Sequence, residues 1–317
     1  MKNKIVATSK TIKVIDDKFY YFGEEFEPRV TWIIDEGFPT AKQLKIWLAK
    51  NSYEEGQRVL EEAGDRGSKV HAAAQDIICG KKVKLSDKYH SELTGKAEPL
   101  TFEEWEHLQA FERFINDYKP EFLMVEQAVR VKGVFAGTLD ILCKLRVDIK
   151  IKVDEETGKQ SIRVSYNADA KPVIVLLDLK TSSGIRPQYQ LQTGAYAFGV
   201  ANSSEFNSQG QLHIAYTGVI RTGTQHIAGY ELKLFPDWSE DYKMFLHCLE
   251  MFKFLNPNAK PHIKEYPKFI KLPKELIFNP VIVKLPTPKK GRQKKQKQQD
   301  VKGTVKQVKE EGTTSVS

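Results

Sequence analysis

The apolar run Val173-Ile174-Val175-Leu176-Leu177, closed by Asp178-Leu179-Lys180, constrains this chain more than any other segment. Pro172 bounds it on one side and Thr181-Ser182-Ser183-Gly184 on the other, so it reads as a buried strand. Side chains alternate faces along a strand, which puts Asp178 and Lys180 together on one face and Leu177 and Leu179 on the other. A carboxylate and an ammonium therefore leave the strand side by side at its end. Upstream, Glu121 to Lys144 reads as a hairpin with Lys132-Gly133 at the turn, between Met124–Val129 and Phe135–Cys143. A turn centred on Gly133 sets Glu126 almost opposite Asp140, which closes Gly137-Thr138-Leu139-Asp140. Glu126, Asp140 and Asp178 then converge on one sheet edge.

Converging carboxylates of this kind suit divalent metal ions, which deliver a nucleophilic water to an anionic phosphorus and stabilise the departing oxygen. Mg²⁺ keeps several of its waters, so two or three acids are enough. Lys180 beside them is placed to position or deprotonate the water and to offset charge on the phosphate. Plainer roles exist for each residue. Asp140 and Asp178 also read as caps at a sheet edge, and Glu126 as a hairpin salt bridge or a solvent-facing position. Gln188, Gln192 and Tyr196 recur every four residues on a helix that Pro187 opens, a polar stripe fit for a phosphate backbone or for water. Arg186 stands ahead of that helix, where phosphate binds well, or is a surface arginine. Thr181, Ser182 and Ser183 either donate to phosphate oxygens or build the turn after the strand. His71 lies at the rim of an apolar helix face of Val70, Ala73, Ala74, Ile77 and Ile78, as a ligand or as a packed or exposed histidine.

The order Glu126, Gly137-x-x-Asp140, Asp178-x-Lys180, Gln192-x-x-x-Tyr196 resembles the PD-(D/E)XK nuclease superfamily, in particular its RecB-like and phage (lambda-type) exonuclease branch. Asp65-Arg66-Gly67-Ser68-Lys69-Val70-His71 is similar to that branch's helix with a histidine after a small-residue turn. Val30-Thr31, Leu44 to Trp47 and the helix before Gly64 are similar to the start of the phage-type exonucleases, so the likeness spans roughly residues 20 to 255. It implies an α/β fold with a restriction-endonuclease-like core, a central mixed β-sheet flanked by helices. It also implies a metal held by His71, Asp140, Asp178 and the Leu179 carbonyl, with Glu126 helping a second ion or its waters. Lys180 is then catalytic, and Gln192 and Tyr196 line the site or touch DNA. The implied activity is a Mg²⁺- or Mn²⁺-dependent deoxyribonuclease, an exonuclease at double-stranded DNA ends in phage-type recombination; an imidazole ligand suits Mn²⁺. A single-strand annealing recombinase and a ring-shaped homo-oligomer are the partners that come with the resemblance. The alternatives are a structure-specific endonuclease of the same fold and a non-catalytic nucleic-acid-binding protein, which would have no need of the acids and the lysine.

Composition bounds the rest. The 317 residues are 40% hydrophobic, enough for one large α/β core with a tail left over. No apolar run reaches the length of a membrane span and Met1 to Lys10 carries no signal-peptide pattern, so a soluble cytoplasmic protein is expected, and the resemblance implies a phage-infected or prophage-carrying bacterial cell. Cys79, Cys143 and Cys248 give neither a disulfide framework nor a zinc or iron-sulfur spacing, and no phosphate-binding G-x-x-x-x-G-K-[ST] loop occurs. The net charge is +8, yet from Lys289 onward nine Lys or Arg stand against three acids, leaving only +2 for everything before. The segment from about Leu285 is Lys-, Gln- and Thr-rich and is expected to be disordered, behind a domain covering 1–284. It would serve as salt-sensitive phosphate attraction, a solubilising end or a docking segment.

Other elements follow from local signals. Thr11 to Gly23 alternates like a hairpin turning at Asp16-Asp17, and Thr40 opens a helix running through Trp47. Helices are expected at Tyr53 to Ala63 and Gly67 to Cys79, and from the Thr101-Phe102-Glu103-Glu104 capping box to Tyr118. Val147 to Val164 reads as an inserted hairpin, and Gln211 to Arg221 and His226 to Leu234 as strands joined at Thr222-Gly223-Thr224. A helix from Trp238 to Phe254 is expected to pack through Tyr242, Phe245, Leu246, Leu249 and Phe252.

Overall fold

The computed structural model describes residues 3–7, 11–39, 46–47, 49–153, 156, 160–207, 212–223 and 227–268. In chain order the elements are β1 (Asn3–Ala7), β2 (Thr11–Asp16), β3 (Phe19–Phe22), β4 (Glu25–Pro28), α1 (Val30–Gly37), α2 (Tyr53–Ile78), β5 (Lys88–His90), β6 (Ala97–Pro99) and α3 (Phe102–Tyr118). There follow β7 (Glu121–Val131), β8 (Phe135–Leu145), β9 (Val147–Val153), β10 (Gln160–Tyr166), β11 (Val173–Lys180), α4 (Pro187–Ala201), β12 (Ile214–Thr222), β13 (Tyr230–Phe235), α5 (Trp238–Leu255) and β14 (Ile263–Pro267). The helix expected at Thr40 and the basic segment from Leu285 lie outside the described residues, apart from Ile46, Trp47 and the two residues after Leu48.

A five-stranded mixed sheet in the order β13-β12-β11-β8-β7 carries the acids. β11 lies at its centre, antiparallel to β8 and parallel to β12, and α4 makes the crossover that parallel pairing requires. Both faces of β11 are covered, and Val175 to Leu179 are all buried, which is why the segment reads as one continuous apolar run. Leu176 packs with Val30, Leu139, Tyr196 and Phe245, on the side of α1, α4 and α5. Leu177 and Leu179 pack with Val70, Phe111 and Phe114, on the side of α2 and α3.

One irregularity matters for the site. Residues two apart on a strand face the same way, yet Leu139 belongs to the first core and Ile141 to the second. The change of face falls at Asp140. Opposite it on β7, Val125 pairs with Ile141 and Gln127 with Leu139, while Glu126 between them takes the left-handed conformation at φ 48. A non-glycine residue held there costs on the order of 1–3 kcal/mol and persists only where its surroundings impose it.

The elements depart from local expectation in three places. α2 is one helix of 26 residues, not two, because Gly64 and Gly67 continue it; interior glycine costs only about 1 kcal/mol, less than the packing of α2 against α3 and the sheet supplies. Thr11 to Gly23 is not a hairpin: β2 pairs with β1 and β14 on either side, and β3 pairs with β4. On α5 Leu246 is 36% exposed and Cys248 takes a core place beside Phe245, Leu249 and Phe252. The capping box is present, with Thr101 accepting from the Glu104 amide and Glu104 accepting from the Thr101 amide.

Asp241, in the first turns of α5, has one buried carboxylate oxygen without a hydrogen-bond partner. Burial, then the charges of Asp237 and Glu240, push its carboxyl up to about 6. The folded chain therefore holds this proton more tightly than the unfolded chain, and stability falls as pH rises through that window. Asp241→Asn is expected to raise stability by about 1 kcal/mol near pH 7, after discounting for solvent around a partly exposed group, and to gain nothing below about pH 4. Thermal melts of both proteins across that range check this, and a difference that does not vary with pH would refute it.

Candidate active site

α2 lays His71 across the strands from the Leu177 face. Its Nε2 lies 2.8 Å from the Leu179 carbonyl oxygen, and its Nδ1 lies 3.5 Å from both Glu126 Oε1 and Asp140 Oδ2. His71, Glu126 and Asp140 each offer one ligand atom, all within 4.8 Å of one another. The Leu179 amide donates to Asp140 Oδ2 at 2.7 Å, which fixes that carboxylate against β11. A void of about 10 Å³ borders the same three side chains and Leu179. Burial works against a charge on His71, but the carboxylates of Asp140 and Glu126 outweigh it and hold the imidazolium up to about 9. Two clustered acids thus recruit a positive charge, here a proton.

Asp178 does not join that group, contrary to the ligand set the resemblance implies. Strand alternation turns it to the Leu176 face, toward α4, whereas α2 crosses the other face. It is 1% exposed, and Lys180 Nζ stands 2.7 Å from its Oδ2. That contact lacks hydrogen-bonding geometry, so both carboxylate oxygens are buried without a hydrogen-bond partner. Burial pushes the Asp178 carboxyl up to about 6, opposed by the Lys180 ammonium and reinforced by Asp140. Burial also works against the charge on Lys180, but Asp178 and Asp140 hold its ammonium above the ordinary value. Lys180 is therefore a cation and donor, suited to holding an anion or a water rather than to removing a proton.

From α4, Gln192 accepts from Lys180 Nζ at 3.4 Å and donates to the Tyr196 hydroxyl at 3.4 Å. Tyr196 is 3% exposed, which corrects its expected place on a polar stripe open to a phosphate backbone: it is a core residue whose ring fills the space beside Gly137. A Cβ on Gly137 would come 2.4 Å from Tyr196 Cε1. Gly137→Ala is expected to destabilise the fold by about 1–3 kcal/mol through overpacking, read as a lowered Tm; an unchanged Tm would mean that the ring moves aside freely. Ser182 donates to the Gly184 carbonyl and accepts from Tyr189, so it serves the turn. Arg186 is the N-cap of α4 and is exposed, and Gln188 is half-buried; both face open space.

That space is a cleft of about 1420 Å³ whose lining includes His71, Glu126, Leu179, Lys180, Arg186, Gln188 and, from the N-terminal region, Tyr20, Arg29 and Trp47. No family model matches the chain, and no curated protein matches it. Among the described residues, no helix is long and apolar enough to cross a membrane.

Two supporting contacts had no local signal in the sequence. His107 Nδ1 lies 2.8 Å from Thr222 Oγ1, which donates to the Lys180 carbonyl at 3.3 Å. Tyr20 joins Thr138 through their hydroxyls at 2.8 Å, tying β3 to the strand that bears Asp140. Both connect residues more than a hundred positions apart, beyond the reach of any periodicity.

Proposed function

We propose that this chain is a divalent-metal-dependent deoxyribonuclease of the PD-(D/E)XK type, on a restriction-endonuclease-like core, acting at DNA ends in phage-type recombination. The observation that carries the reading is the convergence of His71, Glu126 and Asp140 on one point beside the Leu179 carbonyl, with a buried acid and lysine next to it. The donor set suits Mg²⁺ or Mn²⁺. Donors around such an ion stand about 3 Å apart; His71 Nδ1 lies 3.5 Å from both carboxylates, while the Leu179 carbonyl lies 2.8 Å from the other ring nitrogen.

When bound, the ion activates water and neutralises charge on the phosphate. The chain's own residues supply the rest. His71, Glu126 and Asp140 would hold the ion, with the Leu179 carbonyl beside them, and Asp178 adds negative potential and fixes Lys180. Lys180 donates to the attacking water or to a phosphate oxygen, and Gln192 keeps the ammonium pointed into the cleft. Arg186 and Gln188 line the path of the strand. A second ion, a single-strand annealing partner and a ring of subunits belong to the same reading.

Purified protein with Mg²⁺ or Mn²⁺ and end-labelled linear or closed circular DNA tests it. Stepwise nucleotide release from linear DNA alone supports an exonuclease, cutting of circles would establish the endonuclease alternative, and no cleavage with either ion would sink the proposal.

A further inference from the structure

The end of β11 is held on its two edges by different means. β8 stops pairing with it at Leu177, opposite Ile141, whereas β12 follows it to Lys180, opposite Arg221. The edge that β8 vacates is closed by side chains of the site: Asp140 accepts from the Leu179 amide, and His71 meets the Leu179 carbonyl. The other edge is closed from behind. Thr222, the last residue of β12, donates its hydroxyl to the Lys180 carbonyl at 3.3 Å, and Nδ1 of His107 on α3 stands 2.8 Å from that hydroxyl oxygen. A hydroxyl carries one proton, so with that proton given to Lys180 the oxygen accepts from His107 Nδ1–H. Thr222 is 1% and His107 5% exposed, and neither is among the residues lining the cleft. A Cβ on Gly223 would come 2.3 Å from His107 Cε1, so the glycine at this turn lets the ring reach Thr222. Arg221 adds a second tie, its Nη1 donating to the Ser183 carbonyl at 2.8 Å while Glu231 holds the guanidinium.

Resting on the nuclease reading above, we propose that Thr222, backed by His107, is a positioning residue for Lys180, holding the end of β11 so that the ammonium and the Leu179 carbonyl keep their places. The reason is mechanical. Asp140 and His71 hold Leu179 from one edge, so the peptide between Leu179 and Lys180 keeps its orientation only if the other edge is held as well. A buried hydroxyl and imidazole bonded to each other form a stiff support. Stiffness matters here because a shift of about 1 Å at a reacting group can cost two orders of magnitude in rate. Both side chains act through Lys180 and do not meet substrate themselves.

Hydrogen exchange and single-turnover cleavage of the full chain test this together. In metal-free Thr222→Val, which keeps the shape and loses the hydroxyl, the Leu179 amide is expected to exchange about tenfold faster than in the parent, with Leu177 unchanged. With Mg²⁺ or Mn²⁺ and saturating linear DNA, the same variant is expected to cleave about tenfold more slowly at unchanged DNA affinity, and Thr222→Ser, which keeps the hydroxyl, to match the parent. In a Lys180→Ala background the valine substitution should cost nothing further, since it acts through the lysine. Should the valine variant not fold, His107→Leu, which removes the donor behind the hydroxyl, takes its place in all three measurements. Parent-like exchange and cleavage in the folded variant, or the same tenfold loss on top of Lys180→Ala, would overturn this role while cleavage by the parent left the nuclease reading standing. A parent chain that cleaves nothing would sink both.

Discussion

Alanine at Lys180 and asparagine at Asp178 are each expected to slow cleavage of linear DNA by on the order of 10² or more, with DNA binding largely kept. The two act as a unit. Lys180 Nζ stands 2.7 Å from Asp178 Oδ2, and two neighbouring acids hold the ammonium charged despite its burial. A fixed cation inside a low-dielectric cleft is worth far more to a phosphate gaining charge than one in water. Asp178→Asn keeps the shape but removes the charge that holds Lys180. Its effect should therefore largely be contained in that of the lysine variant, and the double variant should fall well short of the sum of the two. Single-turnover cleavage of end-labelled duplex, alongside a melt to show that each variant folds, measures this. Parent activity in either variant would remove that residue from the chemistry, and strictly additive losses would deny their coupling.

Mn²⁺ or Mg²⁺ at a hundred times its dissociation constant is expected to stabilise the folded chain by about 2.7 kcal/mol, a rise in Tm of roughly 5–10 °C. Removing the ion with a chelator should reverse it. His71→Ala and Glu126→Gln should each lose most of the rise, because the first removes one of three ligand atoms gathered within 4.8 Å and the second removes the charge on another. Glu126 allows a sharper comparison. Its backbone sits at φ 48, which glycine adopts without steric cost. Glu126→Gly should therefore melt no lower than Glu126→Gln without metal, although neither should respond to metal. A full metal response in both His71→Ala and Glu126→Gln would show that the ion binds elsewhere, and a glycine variant far less stable than the glutamine variant would contradict strain at this residue.

The hairpin and the central strand were legible because their signals are local. Lys132-Gly133 marks a turn, β11 spans the Val173 to Lys180 run bounded by Pro172, and the register does set Glu126 across from Asp140. The capping box at Thr101 needs only four residues to specify it. Misreadings arose where packing overrode local preference. Gly64 and Gly67 look like a break, but the tertiary contacts of α2 carry the helix through them. Thr11 to Gly23 alternates like a hairpin, yet each half found a partner elsewhere in the chain. Tyr196 looks like part of a polar stripe because its spacing from Gln192 is helical, and spacing does not tell how deeply a helix is sunk. The small residue that admits its ring, Gly137, lies on a strand 59 positions earlier.

The sequence alone determined that Asp178 and Lys180 leave one strand on one face and that Asp140 and Glu126 face each other across a hairpin, because pleat and turn geometry are fixed within a few residues. Only the tertiary structure decided which of these groups meet. It set α2 across one face of the sheet, turned β7 and β8 to a new face at Glu126 and Asp140, and so brought His71 to those two acids while leaving Asp178 with Lys180 toward α4. Such choices rest on burying apolar surface between segments far apart in the chain, a non-directional driving force that no local pattern of residues records.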